Sequence, residues 1–424
     1  MFEPVSTKPY KGVRDFYPED MAIQRYIFDM WSYTAESFGY QRYDASILEP
    51  AALYKAKGAE NEEMVNEQTY TFTDRGNREV TLRPEMTPTV ARMVASRQRE
   101  LTAPIRWYSI PNLFRYERTQ RGRLREHWQL NCDLFGIDSI AADIELISLA
   151  HQLLTDFGAT PEMFEIHVND RRTMQKAYEL LGITDTQTIT AITRVNDRKN
   201  KVDNDTYLST LTETVQDKAL AIEIQKMIEA PDAGEHAVVT ALHELGLTNV
   251  RLDRSLARGF DYYTGIIFEV FDKHPKGTKR SMLGGGRYDN LTGLFSDTPI
   301  SGVGFGMGDV TMRDFLETHS LLPESALTTA PLLTIIPLSS DEHQSAQAFA
   351  QQFRAQGIST SVDFSLRKRD KRFKSAVDAG VKYAIILGPD ETATNTYTLQ
   401  NLRNEQQISG TIPELITAFT ASKI

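Results

Sequence analysis

Apolar side chains recur at helical spacing between residues 19 and 38, where Ile23, Tyr26, Ile27, Met30 and Trp31 share one face and Gly39 stands as a stop. A different rhythm follows. "YQRYDASILEP" reads as a strand ending at Pro50, and "TYTFTD", "EVTLRP", "IRWYSIPNLFRYE", "HWQLNCDLFG" and "IIFEVF" carry the β-branched and aromatic residues of further strands. Helical stretches lie among them, one beginning "DIELISLAHQLL". The strands cluster around hairpins instead of alternating with helices, which predicts an α+β domain built on an antiparallel or mixed sheet.

The texture changes near residue 170. Charged helical segments such as "MQKAYELLGI" surround the hydrophilic run "RVNDRKNKVDND", predicting a helical insertion at about 170–235 inside a first domain of residues 1–325. Strand-like segments return at Val250 and Gly265, and "THSLLPESALTTAP" then marks a connector. Beyond it come "LLTIIPL", a stripe of Ala346, Phe349, Ala350 and Phe353 closed by Gly357, "ISTSVD", a basic helix and "YAIILG". Strand and helix alternate here, so residues 331–424 are expected to form a separate α/β domain.

Composition removes several classes of function. The 424 residues carry a formal net charge of -10, with 41% hydrophobic and 25% charged positions, as in an ordinary soluble globular protein. The only cysteine, Cys132, rules out an intrachain disulfide and a multi-cysteine metal site, and flanked by Asn131 and Asp133 it reads as a small buried residue. His127 has no second ligand at metal spacing, so no resident metal is expected. No stretch reaches the roughly 18 consecutive apolar residues of a membrane span, and the opening lacks the apolar core of a secretory signal. A cytoplasmic protein without a membrane partner is the expectation. An acidic chain does not coat nucleic acid indiscriminately, so a polyanion must meet local basic patches.

One such patch is "FRYERTQRGRLREHW", which holds Arg115, Arg118, Arg121, Arg123 and Arg125 between two strand candidates. Guanidinium groups grip phosphate bidentately and keep their charge, which suits a polyphosphate. On a strand, Arg115 and Glu117 would point to one face, a cation and a carboxylate able to hold the phosphate and the exocyclic amine of a nucleotide. A solvated, ion-paired hairpin would use the same residues. "LARGFDYYTG" groups Arg258 with Asp261, Tyr262 and Tyr263, and "MLGGGRYDNL" sets Gly284, Gly285 and Gly286 before Arg287 and Tyr288. "ISGVGFGMGD" spaces Gly302, Gly304, Gly306 and Gly308 alternately, leaving one strand face bare, either for a planar base or for close sheet packing. The spacing is neither that of a phosphate loop nor that of a Rossmann turn.

Taken in order, these stretches resemble the histidyl-tRNA synthetases, a class II aminoacyl-tRNA synthetase family. "KGVRDFYPED" looks like the family's opening, the helix and strand ending at Pro50 are similar to motif 1, and "TLRPEMTPTVAR" is similar to its Arg-Pro-Glu segment. "FRYERTQRGRLREHWQLNCDLFG" resembles motif 2, and "ARGFDYYTG" and "GGGRYDNL" resemble the two histidine-specific motifs. The resemblance implies a class II antiparallel sheet with helices, a C-terminal anticodon-binding domain, a homodimer through motif 1, and the substrates histidine, ATP with Mg2+, and tRNA(His). By position it implies that Arg115 holds the α-phosphate, Glu117 the adenine amine and Arg123 the outer phosphates. It gives Glu85 the α-ammonium of histidine with Thr87 nearby, and gives Gln129, Asp133, Tyr262, Tyr263 and Tyr288 the amino-acid pocket, with Asp133 at the imidazole. Arg258 would bridge the histidine carboxylate and the α-phosphate. Arg115, Gln129 and Arg258 would thus stand closest to the reaction.

Two departures accompany the resemblance. Motif 3 of the family ends in an arginine for the γ-phosphate, whereas "GFGMGDVTMRDFL" has Thr311 there. Arg313 falls about 200° further round a helix and faces away, which leaves three alternatives: weaker ATP binding, compensation by Arg121 or Arg287, or a branch of the family built differently. Asp133 is also shorter than the glutamate expected at its position. A second class of function shares the resemblance: synthetase-like paralogues that regulate histidine biosynthesis, which typically lack the anticodon-binding domain. This chain keeps a matching stretch, in which Arg367, Lys368, Arg369, Lys371, Arg372 and Lys374 would meet RNA backbone or form a solvated helix face.

Overall fold

The computed structural model describes residues 5–56, 67–196, 199, 202–230, 236–257, 262–365 and 367–421. It divides into two compact units, Met1–Tyr17 with Ile23–Pro323, and Pro18–Ala22 with Glu324–Ile424.

In the first unit the strands run, in spatial order, Gln41–Arg42, Ile105–Ser109, Glu126–Phe135, Gly302–Gly308, Ser281–Arg287, Ile266–Asp272, Phe164–Asp170 and Val250–Leu252, with Asn112–Phe114 pairing beside the outer half of Glu126–Phe135. The two end pairs are parallel and every other pair is antiparallel. Alternation along the strands sorts the sheet into two unlike faces. Leu130, Cys132, Leu134, Val303, Phe305, Met307, Phe268 and Ile166 enter one core together with residues of the helices Pro18–Ser37, Ala141–Asp156, Ala237–Glu244 and Asp309–Thr318. Ile23, Ile27 and Trp31 bury the stripe expected of the first helix, and each fully buried side chain of that size contributes about 1.5–3 kcal/mol. Cys132 lies in this core, where burial pushes its thiol pKa well up, so it is no nucleophile. The other face carries Gln129, Asn131 and Asp133, which stand opposite Gly308, Gly306 and Gly304.

Two strand expectations change. "YQRYDASILEP" breaks into Gln41–Arg42, in the large sheet, and Leu48–Pro50, which joins Glu79–Leu82 and Tyr70–Thr73 in a small one. "IRWYSIPNLFRYE" breaks between Ser109 and Asn112, where Pro111 lacks a ladder donor, and its second strand stops at Phe114. Arg115 and Glu117 therefore lie beyond the strand, and period-two alternation does not fix their faces.

Between Phe164–Asp170 and Ile266–Asp272, the helices Arg171–Leu180, Thr186–Asn196, Asn204–Val215 and Lys218–Glu229 enclose their own core of Met174, Tyr178, Ile192, Tyr207, Leu211 and Ile224. Buried Asn196 joins three of them, donating to the Tyr178 hydroxyl at 3.0 Å and accepting from that of Tyr207 at 2.7 Å.

The second unit orders Thr360–Val362, Leu333–Pro337, Tyr383–Leu387, Tyr397–Asn401 and Gln407–Gly410 in one sheet, parallel among the first three and antiparallel beyond. Phe349, Phe353 and Phe419 pack in its core. The basic helix is Arg369–Asp378, and Arg372 corrects the expectation for its cations: it is buried, donating to Asp363 Oδ2 at 2.9 Å and the Pro337 carbonyl at 2.6 Å, and so is not offered to RNA.

Candidate active site

Asp133 sits on that second face of the large sheet, beside the buried cluster of Phe135, Ile267 and Tyr288. Its Oδ1 accepts a short hydrogen bond from the Tyr288 hydroxyl, while Oδ2 is buried and has no hydrogen-bond partner among the described residues. Burial raises its carboxyl pKa from 3.8 to about 7, against the lowering effect of the Tyr288 bond. A buried acceptor with one oxygen unused is costly unless a ligand completes it.

Around it the sequence candidates converge. Tyr288 lies edge-on to Tyr262 with ring centroids 5.9 Å apart, and the Tyr262 and Tyr263 centroids are 4.8 Å apart. The Tyr262 hydroxyl donates to Glu85 Oε2 at 3.3 Å. Glu85 is buried just ahead of the helix Thr87–Ser96, which Thr87 opens. Buried Arg83 fixes the chain there by donating to the Ala45 and Asn112 carbonyls at 2.7 and 3.1 Å. Gln129 keeps to the face of Asp133, four residues along the same strand. The glycine ladder does not leave this face bare for a base. Added Cβ atoms on Gly302 and Gly306 would stand 2.5 Å from Tyr288 Cε2 and 2.6 Å from Gln129 Cδ, and one on Gly304 would overlap the Asp133 carboxylate. The glycines make room for the chain's own side chains.

A second cluster holds the arginines. A two-residue tip closes the hairpin, with Gln120 and Arg123 exchanging backbone bonds of 3.1 and 2.9 Å and Gly122 at a φ of 76°. Arg115 Nε donates to the Pro84 carbonyl at 2.8 Å, tying this cluster to the segment of Glu85. Arg123 pairs with buried Glu117 at 2.5 Å. Arg125 is a brace: buried, it donates to Tyr10 at 3.0 Å and lies 3.9 Å over the Tyr116 ring. Arg118 is exposed and carries no side-chain bond among the described residues. Burial and the charges of Arg115, Arg14 and Arg123 push the pKa of His127 down to about 3, so it is neutral in a cationic setting.

Both substitutes considered for the absent arginine at 311 are committed elsewhere. Arg121 bonds Asp314 at 2.9 and 3.1 Å. Arg287 is buried, bonding Asp143 at 2.6 Å and the Ile137 and Ser139 carbonyls at 3.0 Å. Three residues by the arginine cluster were not singled out from sequence. Asp309, buried, accepts from Arg14 at 2.7 Å, Gln24 at 3.0 Å and the Trp128 backbone N–H at 2.9 Å. Arg14 and Asp309 lay inside quoted stretches, "KGVRDFYPED" and "GFGMGDVTMRDFL", whereas Arg280, in "KGTKRSM", had no motif to mark it. Arg258 and Asp261 lie outside the described residues.

Residues 12–309 match the family model described as histidyl-tRNA synthetase, and residues 333–422 match that of an anticodon binding domain. The chain is 41% identical over 431 residues to the histidine–tRNA ligase of Leptospira biflexa, covering 97% of each protein. It is 38% identical to that of Thermoplasma volcanium, covering 96% of each. Among solved structures it resembles the histidyl-tRNA synthetase from Nostoc sp. PCC 7120, with a TM-score of 0.81 at 19% identity over 99% of this chain and 100% of the other, a likeness of fold.

Proposed function

The chain belongs to the histidyl-tRNA synthetase family, and on that premise we propose that it is an ATP-dependent histidine–tRNA ligase. It condenses histidine with ATP to histidyl-adenylate and pyrophosphate, then transfers the histidyl group to the 3' end of tRNA(His). The observation that carries this reading is the unused, buried Oδ2 of Asp133 among three tyrosine rings. An imidazole N–H donated there would satisfy the carboxylate, and an analogue lacking that donor would leave it unpaired, which is how such a pocket selects.

In this reading Glu85 accepts from the α-ammonium beside Thr87, Gln129 and Tyr263 flank the substrate, and Arg258 steadies its carboxylate against the α-phosphate. Arg115 holds that phosphate as the carboxylate oxygen attacks phosphorus and pyrophosphate leaves. Glu117 and Arg123 would part to admit adenine and the outer phosphates between them. Catalysis then rests on positioning and on charges fixed in advance. Magnesium would enter with the ATP phosphates, and Arg118 would be free for the acceptor end of the tRNA. A homodimer working in the cytoplasm belongs to the same proposal. The regulatory alternative has less support, since the ligase relatives align over nearly the whole chain and the anticodon-binding region is present.

Exchange of pyrophosphate into ATP, assayed with each of the twenty amino acids, tests the reading. We expect exchange with histidine alone, abolished by Arg258→Ala. Absence of exchange with every amino acid would overturn the enzyme.

A further inference from the structure

We propose that Arg280 supplies the cation for the outer phosphates of ATP that an arginine at position 311 would otherwise supply. The proposal rests on the ligase reading and concerns one residue that the resemblance does not assign.

Thr311 shows where the missing side chain would have gone. It is buried at the start of the helix Asp309–Thr318, and its hydroxyl donates to the Met282 and Gly308 carbonyls, each at 3.1 Å. Its methyl group lies directly beneath the tip of the arginine hairpin: an added Cβ on Gly122 would stand 3.4 Å from Thr311 Cγ2. The same point lies 3.5 Å from Thr278 Oγ1 and 3.6 Å from Arg280 Cδ. The stem of Arg280 therefore reaches, from the residue just ahead of the neighbouring strand Ser281–Arg287, the surroundings that a long side chain at 311 would enter. The Arg280 backbone N–H, bonded to Thr278 Oγ1 at 3.2 Å, fixes where that stem begins.

Its charge is unspent. Arg14 is held by Asp309, Arg121 by Asp314, Arg123 by Glu117, Arg287 by Asp143 and Arg313 by Glu317. Arg280 is half-buried and, among the described residues, its side chain has no hydrogen bond and no ion pair. Burial and the neighbouring charge of Arg123 lower its pKa, with Glu117 acting in the opposite direction. A guanidinium partly removed from water, beside a second cation and without its own carboxylate, is stabilised when an anion arrives. The anion that fits is a polyphosphate that meets the neighbouring guanidinium groups of Arg123 and Arg280 together. Inorganic pyrophosphate, the leaving group, carries the same chemistry.

The test is the Arg280→Ala variant of the full chain, followed in both directions of histidine activation. We expect the KM for ATP in the forward reaction, and for pyrophosphate in the reverse reaction, to rise about ten- to hundred-fold, the loss of a charge-assisted contact. The KM for histidine and the dissociation constant for AMP, which lacks the outer phosphates, should stay within about twofold on the same scale. Arg280→Lys should fall between wild type and alanine, because it keeps the charge without the fork. Thr311→Arg in the Arg280→Ala background should recover ATP affinity. Active wild type with an unaffected Arg280→Ala overturns the proposal alone. An equal loss for AMP also overturns it, by pointing to a structural role. Wild-type protein inactive with every amino acid overturns the ligase reading and this proposal together.

Discussion

Asp133 faces opposed demands. In the proposed reading a carboxylate there stays available to a substrate ring, yet burial lifts its pKa from 3.8 to about 7. Between those values the folded chain binds a proton that the unfolded chain has released, so the stability this group contributes is lost as pH rises from about 4 to about 7. Asp133→Asn should therefore stabilise the unliganded protein at pH 8 by on the order of a few kcal/mol, have much less effect at pH 4, and abolish histidine activation. Urea unfolding at the two pH values, run beside the exchange assay, checks this; a variant weakened at pH 8 would contradict it. The placement of this residue was legible, because period two sets Gln129 and Asp133 on one face once the strand is found. Arg280 was not legible, since its position under Gly122 depends on two distant segments meeting.

At the scale of elements, the glycine-rich strands show how a correct pattern acquires a different purpose. Alternate glycines in Gly302–Gly308 did mark a face without side chains, but the facing strand and Tyr288 fill it. Sequence supplies the vacancy and not its occupant. The consequence is severe for Gly304→Ala: a Cβ there would overlap the Asp133 carboxylate and stand 2.7 Å from the Tyr288 hydroxyl. We expect at least a hundred-fold fall in kcat/KM for histidine, of the order seen when a positioned group is displaced, with a far smaller change in ATP affinity. Equal losses for both substrates would show that the strand as a whole had moved. The hairpin of arginines was legible as a hairpin, but its strand ended sooner than alternation implied, because from Tyr116 onward the chain bonds outside the ladder, with the Tyr116 N–H donating to the Gln68 carbonyl at 2.7 Å.

For the whole molecule, the break in pattern after residue 320 and the charged helical tract after residue 170 were visible as changes of periodicity, which local sequence records well. What joins distant segments of the first unit into one site was not, because long-range contacts such as Asp309 with Arg14 leave no local trace. We expect a chain ending at residue 330 to retain histidine-dependent pyrophosphate exchange while tRNA charging falls sharply; parallel losses in both assays would contradict that division of labour. The paired arginines have one more consequence. With Arg121 on Asp314 and Arg123 on Glu117, part of the hairpin's charge is already neutralised within the protein, so an incoming polyanion sheds fewer condensed counterions than five arginines suggest. A plot of log affinity for tRNA against log salt should accordingly be shallower than about one unit of slope per hairpin arginine. Asp314→Asn should steepen it by freeing Arg121, so that this acidic chain would set its own sensitivity to ionic strength through the carboxylates beside its cations.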